Sequence, residues 1–279
     1  MRLLLIASLV ACGSSKPISE PDPTVVTAPK PSVITSTSPG IELSEVPSTG
    51  FDRADGATAQ IAVSPSALTI KGKVVLALTD GQIDAADLQG GALGMIIPRL
   101  REHSQELGAM RVMLQLDRRT PYLTLLQILS TLQIARISEV AILARSGPHT
   151  MSAPISLLPD AGASGWVRHT VPGTGPSPRV QPAIALTSTE LRLFSISGTS
   201  GTKDKPALVM TTNPGIDLVQ LGRKLAELRK KHSDLGDTAL LVLAADSLPI
   251  QSVLEVIATV RATPEGTPLY PEILLASGR

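Results

Sequence analysis

The feature that most narrows what this chain can fold into is an internal repeat. Sliding the 279-residue sequence along itself by 128 positions superposes Leu93–Ile134 on Leu221–Ala262 without a gap. Pro121, Leu126 and Thr131, among others, then meet identical residues at Pro249, Leu254 and Thr259. Leucine and glycine coincide often by chance, so the order of elements around these matches carries the argument for a duplication.

The clearest copy is the stretch from Met110 to Ala135. Val112, Leu114 and Leu116 alternate with Arg111, Met113 and Gln115, the period of a strand with one face more apolar. Asp117-Arg118-Arg119-Thr120-Pro121 breaks that strand. Thr120 is placed to cap a helix and Pro121 to open it, because proline lacks only an N–H that would be unpaired there. Tyr122, Leu125, Leu126, Leu129 and Leu132 continue as the stripe of a helix packed on a sheet. Leu123 and Ile128 lie off that stripe and suit packing against a neighbour.

Upstream, Ile61 and Val63, then Leu68 and Ile70, alternate on either side of Ser64-Pro65-Ser66. This spacing predicts a hairpin, and Ile184, Leu186, Leu191 and Leu193 repeat it. Lys73–Leu78 and Pro206–Met210 are the expected third strands. A helix begins near Met95, with Pro98 in its opening turn, and its counterpart follows Asn213-Pro214 with Leu218, Leu221, Leu225 and Leu228 facing inward. Val140–Leu143 and Ile273–Leu275 close the copies. The expected fold is α/β (α+β): two tandem small domains, 58–147 and 183–279, each a mixed β-sheet with two helices on one face. The Gly, Pro and Ser-rich segment 148–182 is the expected linker, in which Trp166 either tucks between the domains or anchors a partner.

Aromatic residues make up 2% of the chain, so its cores must be aliphatic and no aromatic platform for nucleobases is expected. Lys plus Arg (25) and Asp plus Glu (24) nearly cancel, which removes the electrostatic case for nucleic acid. The histidines, His149 and His169 included, have no metal-ligand spacing, and neither metal nor cofactor is expected. Gly198–Lys203 lacks the Gly-Lys-Ser/Thr of a phosphate loop and reads as a turn. Gly162-Ala-Ser-Gly-Trp166 breaks the nucleophile-elbow pattern, and Arg229-Lys-Lys-His232 reads as the favourable positive charge of a helix C-terminus. The chain is expected not to be an enzyme.

Met1-Arg2 and the apolar run that follows have the form of a secretory signal over residues 1–11. Leu9-Val10-Ala11-Cys12 resembles the lipobox of bacterial lipoproteins, and Cys12 is the single cysteine of the chain. The resemblance implies acylation at Cys12 and a membrane held by lipid anchor. Gly13-Ser14-Ser15 places no aspartate after that cysteine, which in Gram-negative lipoproteins goes with the outer membrane. Residues 12–57, rich in Pro, Ser and Thr, are expected to form a disordered tether reaching on the order of 140 Å when stretched.

Each repeat also resembles the periplasmic domain of the ExbD/TolR family of biopolymer transport proteins. The pattern carrying it is an apolar strand, an aspartate, three residues, then Pro-Tyr opening an apolar helix and a closing apolar strand. Asp117, Pro121, Tyr122 and Val140-Ala-Ile-Leu143 supply it. In the second copy Pro249 is retained, Ala245 stands in the aspartate's place and Ile250 in the tyrosine's. The resemblance implies a periplasmic interaction module, with envelope proteins, a Ton/Tol-type transport complex or peptidoglycan as partners. Asp117, Pro121, Tyr122, Leu123, Ile128 and Trp166 are its candidate interaction residues, and the two domains are expected to pair as an internal pseudo-dimer. Family members carry a membrane-spanning helix with an aspartate, for which this sequence has no counterpart, so proton coupling is not implied. In the peptidoglycan-binding alternative, Arg101, Arg229 and Lys230 face acidic stem peptides.

Overall fold

The order of elements follows the repeat. The computed structural model describes residues 40–57, 59–98, 112–137, 139–157, 182–213, 215–232 and 239–278. The expected signal sequence, Cys12 and the first part of the expected tether lie outside them, as do the remainder of the helix expected after Met95 and residues 158–181 with Trp166 and His169.

The first repeat contains β2 (Ile61–Val63), β3 (Ala67–Ile70), β4 (Lys73–Ala77), β5 (Val112–Leu116), α1 (Tyr122–Ile134) and β6 (Val140–Ser146). The second contains β8 (Pro182–Leu186), β9 (Glu190–Ser195), β10 (Leu208–Thr211), α2 (Leu218–Lys231), β11 (Ala239–Ala244), α3 (Ile250–Arg261) and β12 (Glu272–Ser277). Two further strands have no equivalent in the repeat, β1 (Asp52–Arg53) and β7 (His149–Leu157). The result is a mixed α/β architecture, each half a mixed sheet with its helices on one face.

The registers of the two halves match residue by residue. Ile61 pairs with Ile70 and Leu114, as Ile184 pairs with Leu193 and Val242. Leu114 then pairs with Ile142, as Val242 pairs with Leu275. Even the turns correspond: Ser64 Oγ accepts the Ala67 N–H at 3.0 Å, and Thr187 Oγ1 accepts the Glu190 N–H at 3.1 Å. A hydroxyl at this position closes the hairpin on itself.

The strand order β10-β9-β8-β11-β12-β7-β6-β5-β2-β3-β4 reads the same repeat from either end towards β7. β7 runs antiparallel to β6 and parallel to β12, so β6 and β12 point in opposite directions. That is the relation a two-fold axis requires. One hydrophobic core takes in residues of both halves, among them Leu114, Tyr122 and Leu125 from the first and Val242, Ile250 and Leu254 from the second.

Three boundaries differ from expectation. The tether was expected to extend to residue 57, but Ile41, Val46 and Phe51 are buried and β1 pairs with β7. Three large apolar residues spaced among polar ones are enough to fasten a segment that composition marks as polar. The linker was expected to begin at 148, but β7 occupies its first part, burying Met151, Ser152, Ala153 and Ile155. Pro154 sits between the part of β7 that pairs with β1 and the part that pairs with β12, a position where a strand proline is tolerated. Finally, α2 is capped by Asp217, whose Oδ1 accepts the Gln220 N–H at 2.8 Å, rather than by Asn213. Asp217-Leu-Val-Gln220 has the spacing of a capping box.

The segment from Ile41 to Arg53 joins both halves as a strap: Ser44 and Val46 bond Arg145 of β6, Asp52 and Arg53 pair with β7, and Glu45 and Gly50 meet α3. Gly50, at φ +84°, lies so close to α3 that an added Cβ would stand 2.2 Å from the Ala258 carbonyl oxygen. Gly50→Ala is therefore expected to cost at least about 1–2 kcal/mol from the left-handed backbone alone. The clash with α3 adds to that, and equilibrium urea unfolding measures the sum.

Candidate functional site: the seam between the repeats

The first N–H groups of any helix lack intrahelical partners, and a capping side chain normally accepts one of them. Pro121 and Pro249 occupy the cap positions of α1 and α3, with φ −62° and −66°, and neither helix start has a side-chain cap. The other repeat does the work. Tyr122 N–H donates to the Leu248 carbonyl (2.8 Å) and Leu123 N–H to that of Asp246 (3.0 Å). Reciprocally, Ile250 N–H donates to the Thr120 carbonyl (2.9 Å) and Gln251 N–H to that of Arg118 (3.1 Å). These four bonds are two pairs exchanged by the repeat, and Pro121 and Pro249 face each other as an antiparallel bridge at their centre. Thr120, expected to cap α1, contributes its carbonyl to α3, while its buried hydroxyl has no hydrogen-bond partner among the described residues.

Tyr122 is fully buried, and its hydroxyl donates to the carbonyls of Ala276 (3.1 Å) and Val242 (3.4 Å), both in the second repeat. Burial pushes its phenol far above the ordinary range, so it is a neutral donor at every physiological pH. Ile128 is also buried, and α1 is covered on most of its circumference rather than along one stripe. Pro121 and Leu123 are half-buried. Of the candidate interaction residues, Pro121, Tyr122 and Leu123 meet the second repeat at the seam, and Trp166 lies outside the described residues.

Asp117 has no exposed surface. Its carboxylate accepts the Glu42 N–H (3.0 Å), the Arg119 N–H (3.0 Å) and Arg119 Nε (3.0 Å). Burial by itself would raise its pKa, but the hydrogen bonds and charge of Arg119 with the two backbone N–H groups outweigh it and hold the carboxyl below its usual value. The strap completes the same site from the other side. Gln251 of α3 grips the Glu45 backbone twice, accepting its N–H (2.9 Å) and donating to its carbonyl (2.7 Å). Arg261 donates through Nε to the Gly50 carbonyl. The strap is therefore held by Asp117 in one repeat and by Gln251 and Arg261 in the other.

Chemistry-bearing groups meet at one further place that the sequence did not single out. Ser200 Oγ lies 3.0 Å from His232 Nε2 in a pocket lined by Pro182, Phe194, Ser195, Leu228, Arg229 and Tyr270. The pairing joins a β9–β10 turn to the C-terminus of α2, a contact without any sequence signature. Among the described residues no carboxylate pairs with His232, and Ser200 N–H donates to Ser195 Oγ at 2.8 Å. Arg229 stands over the Tyr270 ring at 5.4 Å and donates to the Leu269 carbonyl. Gly198–Lys203 is a turn, as expected. His149 is half-buried and faces Asp55 at 3.3 Å. The described residues contain no group of His, Cys, Asp and Glu arranged to hold a metal ion.

Comparison with protein-family models, curated proteins and solved structures returns no match for this chain.

Two outcomes follow from the seam. Asp117→Asn removes one acceptor from buried N–H groups and is expected to cost about 1–3 kcal/mol. Because the folded-state pKa is depressed, the stabilisation from Asp117 is full above the unfolded value near 4 and is lost as pH falls below it, so the variant's stability should fall less steeply between about pH 4 and 2. Urea titrations across that range check both points. Tyr122→Phe, which removes the buried hydroxyl's bonds to the Ala276 and Val242 carbonyls while their strand pairing is kept, should cost about 0.5–1.5 kcal/mol. Tyr122→Ala, which also empties a core site, should cost about 3–5 kcal/mol and separate the single unfolding transition expected of the fused halves into two.

Proposed function

We propose that this chain is a membrane-anchored envelope lipoprotein that acts as a non-enzymatic interaction and scaffold module, related to the ExbD/TolR components of biopolymer transport. The observation that carries the reading is the reciprocal capping at Pro121 and Pro249, which makes the duplicated chain a covalent pseudo-dimer. Domains of the family it resembles commonly dimerise, and here one chain contains both partners. The residues best equipped for chemistry in the repeat motif, Asp117 and Tyr122, are committed to backbone groups of the fold. A rigid body of this kind suits holding a partner in place.

The lipobox-like Leu9–Cys12 and the segment that follows supply an anchor and a spacer in this reading. No helix among the described residues is long and apolar enough to cross a membrane. Envelope proteins are the proposed partners, with a Ton/Tol-type complex first among them, and the anchor places the module on the periplasmic side of the outer membrane.

Two measurements test it. Cells fed a labelled fatty acid should incorporate label into this protein, and Cys12→Ser should abolish that incorporation. Cross-linking the tagged protein in its native cells should recover envelope proteins, and an energised inner-membrane complex among them would place the chain in a transport system. Recovery of neither protein nor peptidoglycan would sink the scaffold reading. Recovery of wall fragments alone would favour peptidoglycan binding.

A further inference from the structure

The outer strands of the sheet occupy equivalent places in the repeat but differ in form. Among the described residues β4 pairs only with β3, and β10 only with β9, so each leaves one edge unpaired. Val74, opposite Thr69, and Val209, opposite Arg192, are matching positions, and they are 66% and 53% exposed. On the first edge the register shifts between Leu68 and Thr69, placing a bulge beside Val74, and exposed Lys73 begins the strand. A bulge and an edge lysine are devices by which sheets prevent further pairing.

β10 has neither. Leu208, Val209, Met210 and Thr211 are uncharged and run in unbroken register against β9. Thr212 N–H donates to the Thr189 carbonyl at 3.0 Å, in line with that register. Antiparallel ladders alternate, so the even-numbered residues face β9 while the N–H and C=O groups of Val209 and Thr211 face outward. Both side chains are exposed as well. Lys203 and Lys205, exposed on either side of Asp204, lead into the strand and leave its entrance with a positive excess. Arg192 beside Val209 is already matched by Glu190 at 2.7 Å.

We infer that β10 is a docking edge for an extended segment of a partner protein, one with β-branched residues at alternate positions and acidic residues at the end that meets Lys203 and Lys205. The segment adds antiparallel to β10. Main-chain bonds to Val209 and Thr211 provide affinity, and side-chain pairing with Val209 and the two lysines provides selectivity. The bulged β4 edge takes no strand. The inference rests on the interaction role proposed above and names its surface.

The test uses the full chain and a labelled synthetic peptide, Val-Thr-Val-Thr-Val-Glu-Glu, read by fluorescence anisotropy and amide hydrogen exchange. Binding should slow exchange at Val209 and Thr211. Val209→Pro should weaken it at least about tenfold, since the lost N–H points outward and the β9 ladder is spared. Val74→Pro should leave binding unchanged. Lys203→Glu and Lys205→Glu should each weaken it roughly two- to fivefold, with less effect at high salt.

Absence of peptide binding, or equal binding by Val209→Pro, overturns the proposal. So does a wild-type dimer that Val209→Pro disrupts without any peptide uptake, which would assign the edge to a second copy of this chain. If Val209→Pro does not fold, exchange at Val209 and Thr211 in the wild type decides alone. Partner capture in cells together with failed peptide binding would leave the scaffold reading standing and remove this surface from it.

Discussion

Everything in this fold depends on two prolines that deprive their helices of a side-chain cap. In a repeat standing alone the first N–H groups of α1 and α3 would be left to water, but packing the repeats together buries them, and buried they are costly to leave unpaired. Setting the two turns side by side in opposite directions gives each helix the carbonyls of the other turn. That geometry admits little freedom. It fixes a pseudo-two-fold relation, sends β6 and β12 in opposite directions, and brings Tyr122 within reach of the Val242 and Ala276 carbonyls.

The two copies differ where the seam does not need symmetry. Asp117 is required because the strap presents the Glu42 N–H to it. In the second copy Ala245 stands at that place, and the neighbouring Asp246 accepts the Ser277 hydroxyl at 2.9 Å instead. Tyr122 has carbonyls to bond, whereas Ile250 at the matching position is simply buried. The substitutions that weakened the motif in the second repeat thus fall where the strap makes no contact equivalent to the one from Glu42 to Asp117. The repeated prolines, by contrast, remain in both.

Much of this architecture was legible in the sequence, because alternation and helical spacing survive in both copies. The hairpins at Ser64–Ala67 and Thr187–Glu190, the third strands and the closing strands lie where the periodicity put them. What escaped was set by distant contacts. Nothing local distinguishes Ile41, Val46 and Phe51 from scattered apolar residues in a polar segment, and their burial depends on a surface formed by both repeats. The same holds for β7, whose Pro154 argues locally against a strand. The seam residues were picked out from the motif; of the two off the helical stripe, Ile128 is buried inside the chain and Leu123 is half-buried beside the seam. The Ser200–His232 contact joins elements 32 positions apart and has no motif to betray it.

The centre of the sheet is where symmetry is broken, and it had to be. After β6 the chain turns at Gly147, whose φ of +55° suits a residue without a Cβ, and returns as β7 between the halves. A strand on the dyad of a two-fold sheet cannot be antiparallel to both neighbours when those neighbours oppose each other. β7 accordingly takes a long antiparallel ladder with β6 and only two parallel pairs with β12. The strands alone would therefore join the halves weakly. Most of the coupling falls to the helical side, where the reciprocal caps, Tyr122 and the strap cross the seam. The body stays in one piece because its helices begin in each other's turns.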